Sequence, residues 1–151
     1  MSALADGILL VEDNPDDAIL TVRAFKRSNL LHPIFVVQDG IEALDFLFAR
    51  GDFTYRAGAP LPKLVVLDLK LPRLDGLGVL KAIRAEPRTR LMPVVVLTSS
   101  SEAQDLILAY GLGANSYLLK PIDFETFVEA ARVLGNYWLM LNQPAPAPAT
   151  A

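Results

Sequence analysis

Residues 64–76 have the sequence Leu-Val-Val-Leu-Asp-Leu-Lys-Leu-Pro-Arg-Leu-Asp-Gly. The stretch begins with four apolar residues in a row, and Asp68 follows them directly. A short continuous run of Val and Leu is typical of a strand that other elements cover on both faces. The sequence therefore predicts a buried strand over residues 64–67, with the Asp68 carboxylate at its carboxyl end.

Four further apolar runs of this kind occur along the chain. They cover residues 8–11, 33–37, 93–97 and 117–119. Each of the five runs is followed by a segment whose apolar residues recur every three or four positions, which is typical of an amphipathic helix. The helical positions are Ala18, Val22 and Phe25; Ile41, Leu44 and Phe48; Leu77, Leu80 and Ile83; Ala103, Leu106, Ile107 and Tyr110; and Phe124, Phe127, Val128, Ala131, Leu134, Trp138 and Leu141.

The five alternations of strand and helix predict an α/β fold. An open parallel sheet with helices on both faces is the usual result of this pattern. With right-handed crossovers, the expected arrangement is a doubly wound, flavodoxin-like (βα)5 fold with strand order 2-1-3-4-5. We expect Asp16 or Asp17 to cap the first helix, because acidic side chains accept hydrogen bonds from free N–H groups there.

Two segments lie outside the strand–helix alternation. Residues 50–62 contain two glycines and two prolines and are predicted to form a long loop. Residues 144–151 alternate proline and alanine up to a final Thr-Ala, which predicts an extended, disordered tail. The sequence thus predicts one domain over residues 1–143, followed by this tail.

Composition excludes several classes of function. Of the 151 residues, 52% are hydrophobic, and the net charge is −3 with no basic run, so binding to nucleic acid is not expected. Cysteine is absent, which excludes disulfides, thiolate metal sites and cysteine nucleophiles. The first residues do not resemble a signal peptide, and the apolar runs are too short to span a bilayer. We therefore expect a cytoplasmic protein without membrane contact.

The polar residues at the predicted strand ends indicate the chemistry. They are Glu12, Asp13, Asp68, Thr98 and Lys120. Because ligands bind at the carboxyl ends of parallel strands, these side chains are expected to converge. Three converging carboxylates repel one another unless a hard divalent cation such as Mg²⁺ binds between them. An ammonium and a hydroxyl beside them suit the oxygens of a phosphoryl group, and a carboxylate is a competent covalent acceptor for such a group.

These residues resemble the signature of the receiver domain in response regulators of bacterial two-component pathways. The resemblance covers residues 7 to about 135. Its motifs are Glu12-Asp13-Asn14, Asp68 with Leu71-Pro72-Arg73-Leu74-Asp75-Gly76, Thr98-Ser99 and Lys120-Pro121. The sequence is also similar to the small single-domain regulators of bacterial phytochrome systems. That similarity lies in residues 11–17, 39–44, 50–62, 112–117 and 137–139.

The resemblance implies a phosphoacceptor protein that is not an enzyme. Asp68 would accept the phosphoryl group from a sensor histidine kinase, for which a bacteriophytochrome is the candidate. Asp13 and Asp68 would bind Mg²⁺ directly, together with the backbone carbonyl of Lys70. Glu12 would bind the same ion through a water molecule.

The resemblance also implies a switch. Lys120 would pair with a phosphate oxygen, and the Lys120–Pro121 peptide bond would be cis. Thr98 would move to bind the phosphate and leave space for the Tyr117 ring to turn inward. The signal would then pass through the surface of the fourth helix, the fifth strand and the fifth helix to a downstream protein that the sequence does not identify.

The end of the last helix is predicted to be an interface. Tyr137, Trp138 and Leu141 continue the apolar stripe beyond the expected end of the sheet. An exposed apolar patch of this kind usually marks a contact with another protein. We expect a homodimer through this segment and the fourth helix, fifth strand and fifth helix.

Three other functions are compatible with a fold of this kind. A phosphohydrolase with an aspartyl nucleophile usually has a second carboxylate two residues later, where this chain has Lys70. A nucleotide-binding flavodoxin-like protein would have a glycine-rich loop after the first strand, where this chain has acidic residues. A pseudo-receiver, which binds proteins without taking a phosphoryl group, would be expected to lack Asp13, Asp68 or Lys120. It remains the main alternative.

Overall fold

The computed structural model describes residues 7–146. Its strands are β1 (Ile8–Val11), β2 (Ile34–Val37), β3 (Leu64–Leu67), β4 (Val94–Thr98) and β5 (Ser116–Leu119). All are parallel and form one sheet in the order β2-β1-β3-β4-β5. The predicted doubly wound, flavodoxin-like α/β fold and its strand order are confirmed.

Helices connect the strands and cover both faces of the sheet. They are α1 (Pro15–Arg27), α2 (Gly40–Phe48), α3 (Gly76–Ala85), α4 (Ala103–Gly111) and α5 (Phe124–Gly135). On one face, α1 and α5 pack on the sheet and enclose a core that includes Phe25 and Phe127. On the other face, α2 and α3 enclose a core that includes Leu47 and Leu80, and α4 lies beside α3.

The central strands explain why the apolar runs are continuous. β1, β3 and β4 are buried along their whole length, because helices cover both faces of the sheet and strands flank them on both sides. The edge strands β2 and β5 are only partly buried. The polar residues that follow the central strands are therefore anchored to the buried centre of the sheet.

The prediction for the start of α1 was wrong. Asn14 caps the helix, and its side-chain oxygen accepts a hydrogen bond from the Asp17 amide at 3.1 Å. Pro15 occupies the first helical position, where its fixed φ and missing N–H are tolerated, so the cap falls on the preceding residue. Asp17 is thereby free to use its carboxylate elsewhere.

Two further predictions need correction. Within the predicted loop of residues 50–62, the segment Gly51–Arg56 forms a 3₁₀ helix. It is held in place by buried Arg56, whose guanidinium lies 3.7 Å from the centre of the Phe46 ring.

The apolar stripe of α4 is largely exposed, since Ile107 is 71% exposed and the fully buried residue of that helix is Ala109.

Helix α5 buries the Phe127, Ala131 and Leu134 side chains of its apolar stripe. It continues into a short π-helical segment, Asn136–Leu141, in which Leu139 packs into the core beneath α1 and α5. Residues 142–146 have no regular structure. The predicted tail reaches beyond them, and its residues 147–151 lie outside the described part of the chain.

Across residues 7–146, none of the helices combines the length and the apolar character that a membrane crossing requires.

Candidate functional site

The register of the sheet brings Glu12 and Asp68 together. Val11 of β1 pairs with Leu67 of β3, so the residues that follow the two strands lie side by side. Both side chains are buried, with exposed fractions of 2% for Glu12 and 7% for Asp68. Two neighbouring carboxylates at a buried strand end are costly unless cations compensate them.

The same edge of the sheet holds Thr98 and Lys120. Thr98 is the last residue of β4 and is fully buried. It pairs with Leu119 of β5, and the Lys120 amide donates a hydrogen bond to the Thr98 carbonyl at 2.9 Å. The strand ends thus place Glu12, Asp13, Asp68, Thr98 and Lys120 at one edge, as the sequence predicted.

The Lys120 ammonium is the centre of the site. Its Nζ lies 2.8 Å from Glu12 Oε1, 2.9 Å from Asp68 Oδ2 and 2.7 Å from Asp17 Oδ2. The contact with Asp17 was not predicted, because a residue in the first turn of α1 has no sequence signal that links it to the end of β5.

One cation shared among these acids leaves an excess of negative charge. Burial, with the nearby Asp68 carboxylate, raises the pKa of Glu12 to about 7 despite hydrogen bonds from Lys120 and Asn14. Burial alone would lower the pKa of Lys120. Its hydrogen bonds to Asp17, Glu12 and Asp68 outweigh that effect and raise the pKa above its ordinary value. Both raised pKa values mean that the protonated forms of Glu12 and Lys120 are favoured, so the site favours an added positive charge.

The donor set fits a hard divalent cation. Glu12, Asp13 and Asp68 each offer a carboxylate oxygen, and these oxygens lie within 4.8 Å of one another. Glu12 and Asp68 are buried while Asp13 is exposed, so an ion could enter from solvent. Oxygen ligands of this kind are those that Mg²⁺ and Mn²⁺ prefer.

The backbone around Asp68 is fixed by the start of α3. Asp68 Oδ1 accepts a hydrogen bond from the Leu69 amide at 2.7 Å, and the Gly76 amide donates to the Leu69 carbonyl at 2.9 Å. A Cβ atom at Gly76 would lie 2.2 Å from the Asp68 carbonyl oxygen, so only glycine permits this approach. Asp75 caps α3 by accepting from the Gly78 amide.

Thr98 and Tyr117 both contact Ser100, which sequence reasoning had not singled out. The Tyr117 hydroxyl donates to the Ser100 carbonyl at 2.8 Å, and the Ser100 amide lies 3.4 Å from Thr98 Oγ1. The Ser100 hydroxyl donates to Asp105 of α4 at 2.6 Å. Lys70 Nζ is 3.6 Å from the same Asp105 carboxylate. The segment after β4 therefore links the site to α4.

The expectation of a cis Lys120–Pro121 bond is wrong, because this peptide bond is trans. The trans isomer is the more stable form of an X–Pro bond when nothing in the fold opposes it. Lys120 Nζ reaches Asp68 Oδ2 at 2.9 Å with the bond in this form.

The predicted interface residues lie on the C-terminal segment, away from the strand ends. Tyr137 and Leu141 are exposed. Trp138 is half-buried, with its ring edge-on to Tyr137 at 4.9 Å between centroids, and it packs against the core beneath α5. Trp138 is thus partly a core residue. Its position in the apolar stripe does not distinguish a core residue from an interface residue.

Comparison with known proteins supplies the family. The family model of the response regulator receiver domain matches residues 8–132, which include every residue of the site described above. This chain belongs to that family. The receiver domain accounts for the sheet order and for the position of the acidic residues and Lys120 at the strand ends.

Two curated proteins resemble this receiver domain over most of its length. The probable methanogenesis regulatory protein FilR2 of Methanothrix harundinacea is 44% identical over 141 residues, which cover 93% of this chain and 88% of FilR2. Response regulator Rcp1 of Synechocystis is 36% identical over 132 residues, which cover 87% of this chain and 88% of Rcp1.

Solved structures of similar receiver domains agree in fold. The Mn²⁺-bound form of Rcp1 has a TM-score of 0.82 at 34% identity and covers 93% of this chain and 99% of its own. The phosphorylated cyanobacterial phytochrome response regulator RcpA has a TM-score of 0.85 at 33% identity, with coverages of 94% and 99%. The bacteriophytochrome response regulator RtBRR has a TM-score of 0.76 at 46% identity, with coverages of 94% and 85%.

Proposed function

We propose that this receiver domain acts as a stand-alone response regulator that accepts a phosphoryl group on Asp68. The observation that carries the proposal is the meeting of Glu12, Asp13, Asp68 and Lys120 at one edge of the sheet. Three carboxylates suit a metal ion, and the ammonium beside Asp68 suits a phosphate oxygen. RcpA, which has the same fold, was solved in a phosphorylated form.

The transfer forms one bond and breaks one. An Asp68 oxygen attacks the phosphorus of a phosphohistidine on the kinase, the P–N bond breaks, and the imidazole leaves and takes a proton from solvent. Mg²⁺ held by Asp13 and Asp68, with the Lys70 carbonyl and a water on Glu12, would neutralise charge on the phosphoryl oxygens. Lys120 and Thr98 would bind two of those oxygens. The Mn²⁺-bound form of Rcp1 supports a divalent metal in this fold.

The partner that donates the phosphoryl group is a sensor histidine kinase, and a bacteriophytochrome is the candidate. This part of the proposal rests on the relatives, since RcpA is a phytochrome response regulator and RtBRR a bacteriophytochrome response regulator. FilR2, at 44% identity, is described instead as a methanogenesis regulator. Phosphotransfer from a purified bacteriophytochrome kinase, compared with transfer from an unrelated sensor kinase, tests the assignment.

The signal would leave the molecule through α4, β5 and α5. Ser100 contacts Thr98 and Tyr117, and its hydroxyl binds Asp105 of α4, so a movement of Thr98 toward a phosphoryl group would change these contacts. The α4 and β5 surface is apolar and exposed at Ile107, Tyr110 and Leu119, as a docking surface for a downstream protein or a second copy requires.

The deciding experiment is phosphate incorporation from acetyl phosphate, with and without Mg²⁺. Label is expected in the wild type only with Mg²⁺, and it should disappear in Asp68→Asn. The matched control is Asp52→Asn, which removes the same charge at an exposed position in the 3₁₀ segment and should leave labelling unchanged. Absence of label in the wild type would reject the proposal in favour of a pseudo-receiver that only binds proteins.

A further inference from the structure

The Lys120 ammonium has three N–H donors, and three carboxylates surround it. Glu12, Asp17 and Asp68 each place an oxygen between 2.7 and 2.9 Å from Nζ. An ammonium offers three hydrogen bonds and no more. A phosphoryl oxygen that binds Lys120 therefore competes with these acids for the same three donors.

Asp17 differs from the other two acids in its surroundings. Its side chain is 35% exposed, whereas those of Glu12 and Asp68 are 2% and 7% exposed. Glu12 and Asp68 also belong to the cluster of oxygens that suits a metal ion, and Asp17 does not. Water can replace Lys120 at the Asp17 carboxylate at little cost, because exposed ion pairs contribute little to stability.

The backbone of Asp17 is held independently of Lys120. Its amide donates to Asn14 Oδ1 at 3.1 Å, and its carbonyl accepts from the Thr21 hydroxyl at 2.7 Å. The first turn of α1 therefore stays in place whether or not the carboxylate binds Lys120. The carboxylate also carries the same sign of charge as an incoming phosphoryl group.

We infer that Asp17 is a positioning residue that holds Lys120 in the unphosphorylated protein and competes with the phosphoryl group for it. The ion pair keeps the ammonium over Asp68 before phosphorylation, and its exchange for a phosphate oxygen opposes tight binding of the phosphoryl group. Asp17 thus weakens the retention of a phosphoryl group by the site. The inference rests on the proposed function, because it concerns the same pocket.

The test measures the affinity of the site for beryllofluoride, an anion that imitates a phosphoryl group on a carboxylate, by calorimetry at saturating Mg²⁺. Asp17→Asn keeps an oxygen acceptor and removes the charge, so binding should tighten about threefold or more. Asp17→Glu keeps the charge and should return the affinity to near the wild-type value. The matched control is Asp16→Asn, since Asp16 lies in the same turn, is exposed, and pairs with no described residue within 4.0 Å.

The outcomes separate this inference from the proposed function. Tighter binding in Asp17→Asn but not in Asp16→Asn supports competition through the ion pair. Equal binding in the two variants, or weaker binding in Asp17→Asn, overturns the inference. Wild-type protein that takes label from acetyl phosphate while the two variants behave alike rejects the inference alone. Wild-type protein that neither takes label nor binds beryllofluoride rejects the proposed function as well.

Discussion

Ionisation of the Glu12 carboxyl group opposes folding, because the group is buried. The carboxylate is buried beside Asp68, which raises its pKa from 4.5 to about 7. Between those pH values the folded protein holds a proton that the unfolded chain has released. The stability that this proton provides is fully present below pH 4.5 and is lost as the pH rises through 7.

We predict that the free energy of unfolding of the metal-free protein falls between pH 5 and pH 8, and that Glu12→Gln removes between about 1 and 3 kcal/mol of that fall. Urea unfolding in the presence of a chelator at pH 5, 6, 7 and 8 measures the free energy of unfolding. Glu102→Gln, at an exposed position before α4, is the control. It should keep the wild-type slope of the free energy of unfolding against pH. Identical slopes in wild type and Glu12→Gln would show that burial does not raise the pKa of this carboxyl group.

At the scale of elements, the contact between α3 and β3 determines where Asp68 sits. A methyl group at Gly76 would meet the Asp68 carbonyl oxygen at 2.2 Å, so α3 and β3 would have to separate. We predict that Gly76→Ala lowers the free energy of unfolding by about 1–3 kcal/mol, as overpacking does. Incorporation of phosphate from acetyl phosphate should also fall, because the shift moves the acceptor.

Gly111 provides a matched control for that prediction. It lies at the end of α4, and no atom outside its own helix lies within 4 Å of the Cβ atom that a substitution would add. Gly111→Ala should change the free energy of unfolding by less than ~1 kcal/mol, with a gain favoured because alanine is the better helix former. Chemical denaturation of both variants measures the difference. Equal stabilities would mean that α3 can shift without cost.

The strands and helices were predictable because their signals are local. The apolar run of residues 33–37 matches β2 (Ile34–Val37), and that of residues 93–97 matches β4 (Val94–Thr98), each to within a residue. Burial of α4 was not predictable from its stripe, since exposure depends on which neighbours cover a helix, and α4 packs on the sheet through Ala109. The two acids Asp16 and Asp17 alone do not indicate the α1 cap, because Pro15 takes the first helical position and places the cap at Asn14.

At the scale of the whole molecule, the site was predictable where topology alone determines it. Parallel strands must end at one edge, so Glu12, Asp68 and Lys120 could be placed together from the sequence. Contacts made across the molecule could not be predicted in this way. Arg84 of α3 donates to the carbonyls of Gly113 at 2.8 Å and Met92 at 2.7 Å, and so ties α3 to the segments before β5 and β4. No spacing in the sequence indicates such a long-range contact.

Strand β5 and helix α5 present an apolar surface. A groove of about 540 Å³ lies between these elements, lined by Leu118, Val133 and Tyr137 among others. Leu141, four residues after Tyr137 in the same C-terminal segment, is also exposed. Exposed apolar side chains beside an edge strand favour pairing with a second copy.

We predict that the protein associates reversibly and that Leu141→Asp weakens the association about tenfold or more, because a carboxylate would be buried without a partner. Leu141 is preferred to Trp138, whose packing against the core would make its removal destabilise the monomer as well. Leu91→Asp is the control, since Leu91 is 59% exposed, against 68% for Leu141, and lies before β4. Sedimentation equilibrium gives the association constants. A wild type that stays monomeric at all concentrations, or a Leu141→Asp variant that associates like the wild type, would place the contact elsewhere.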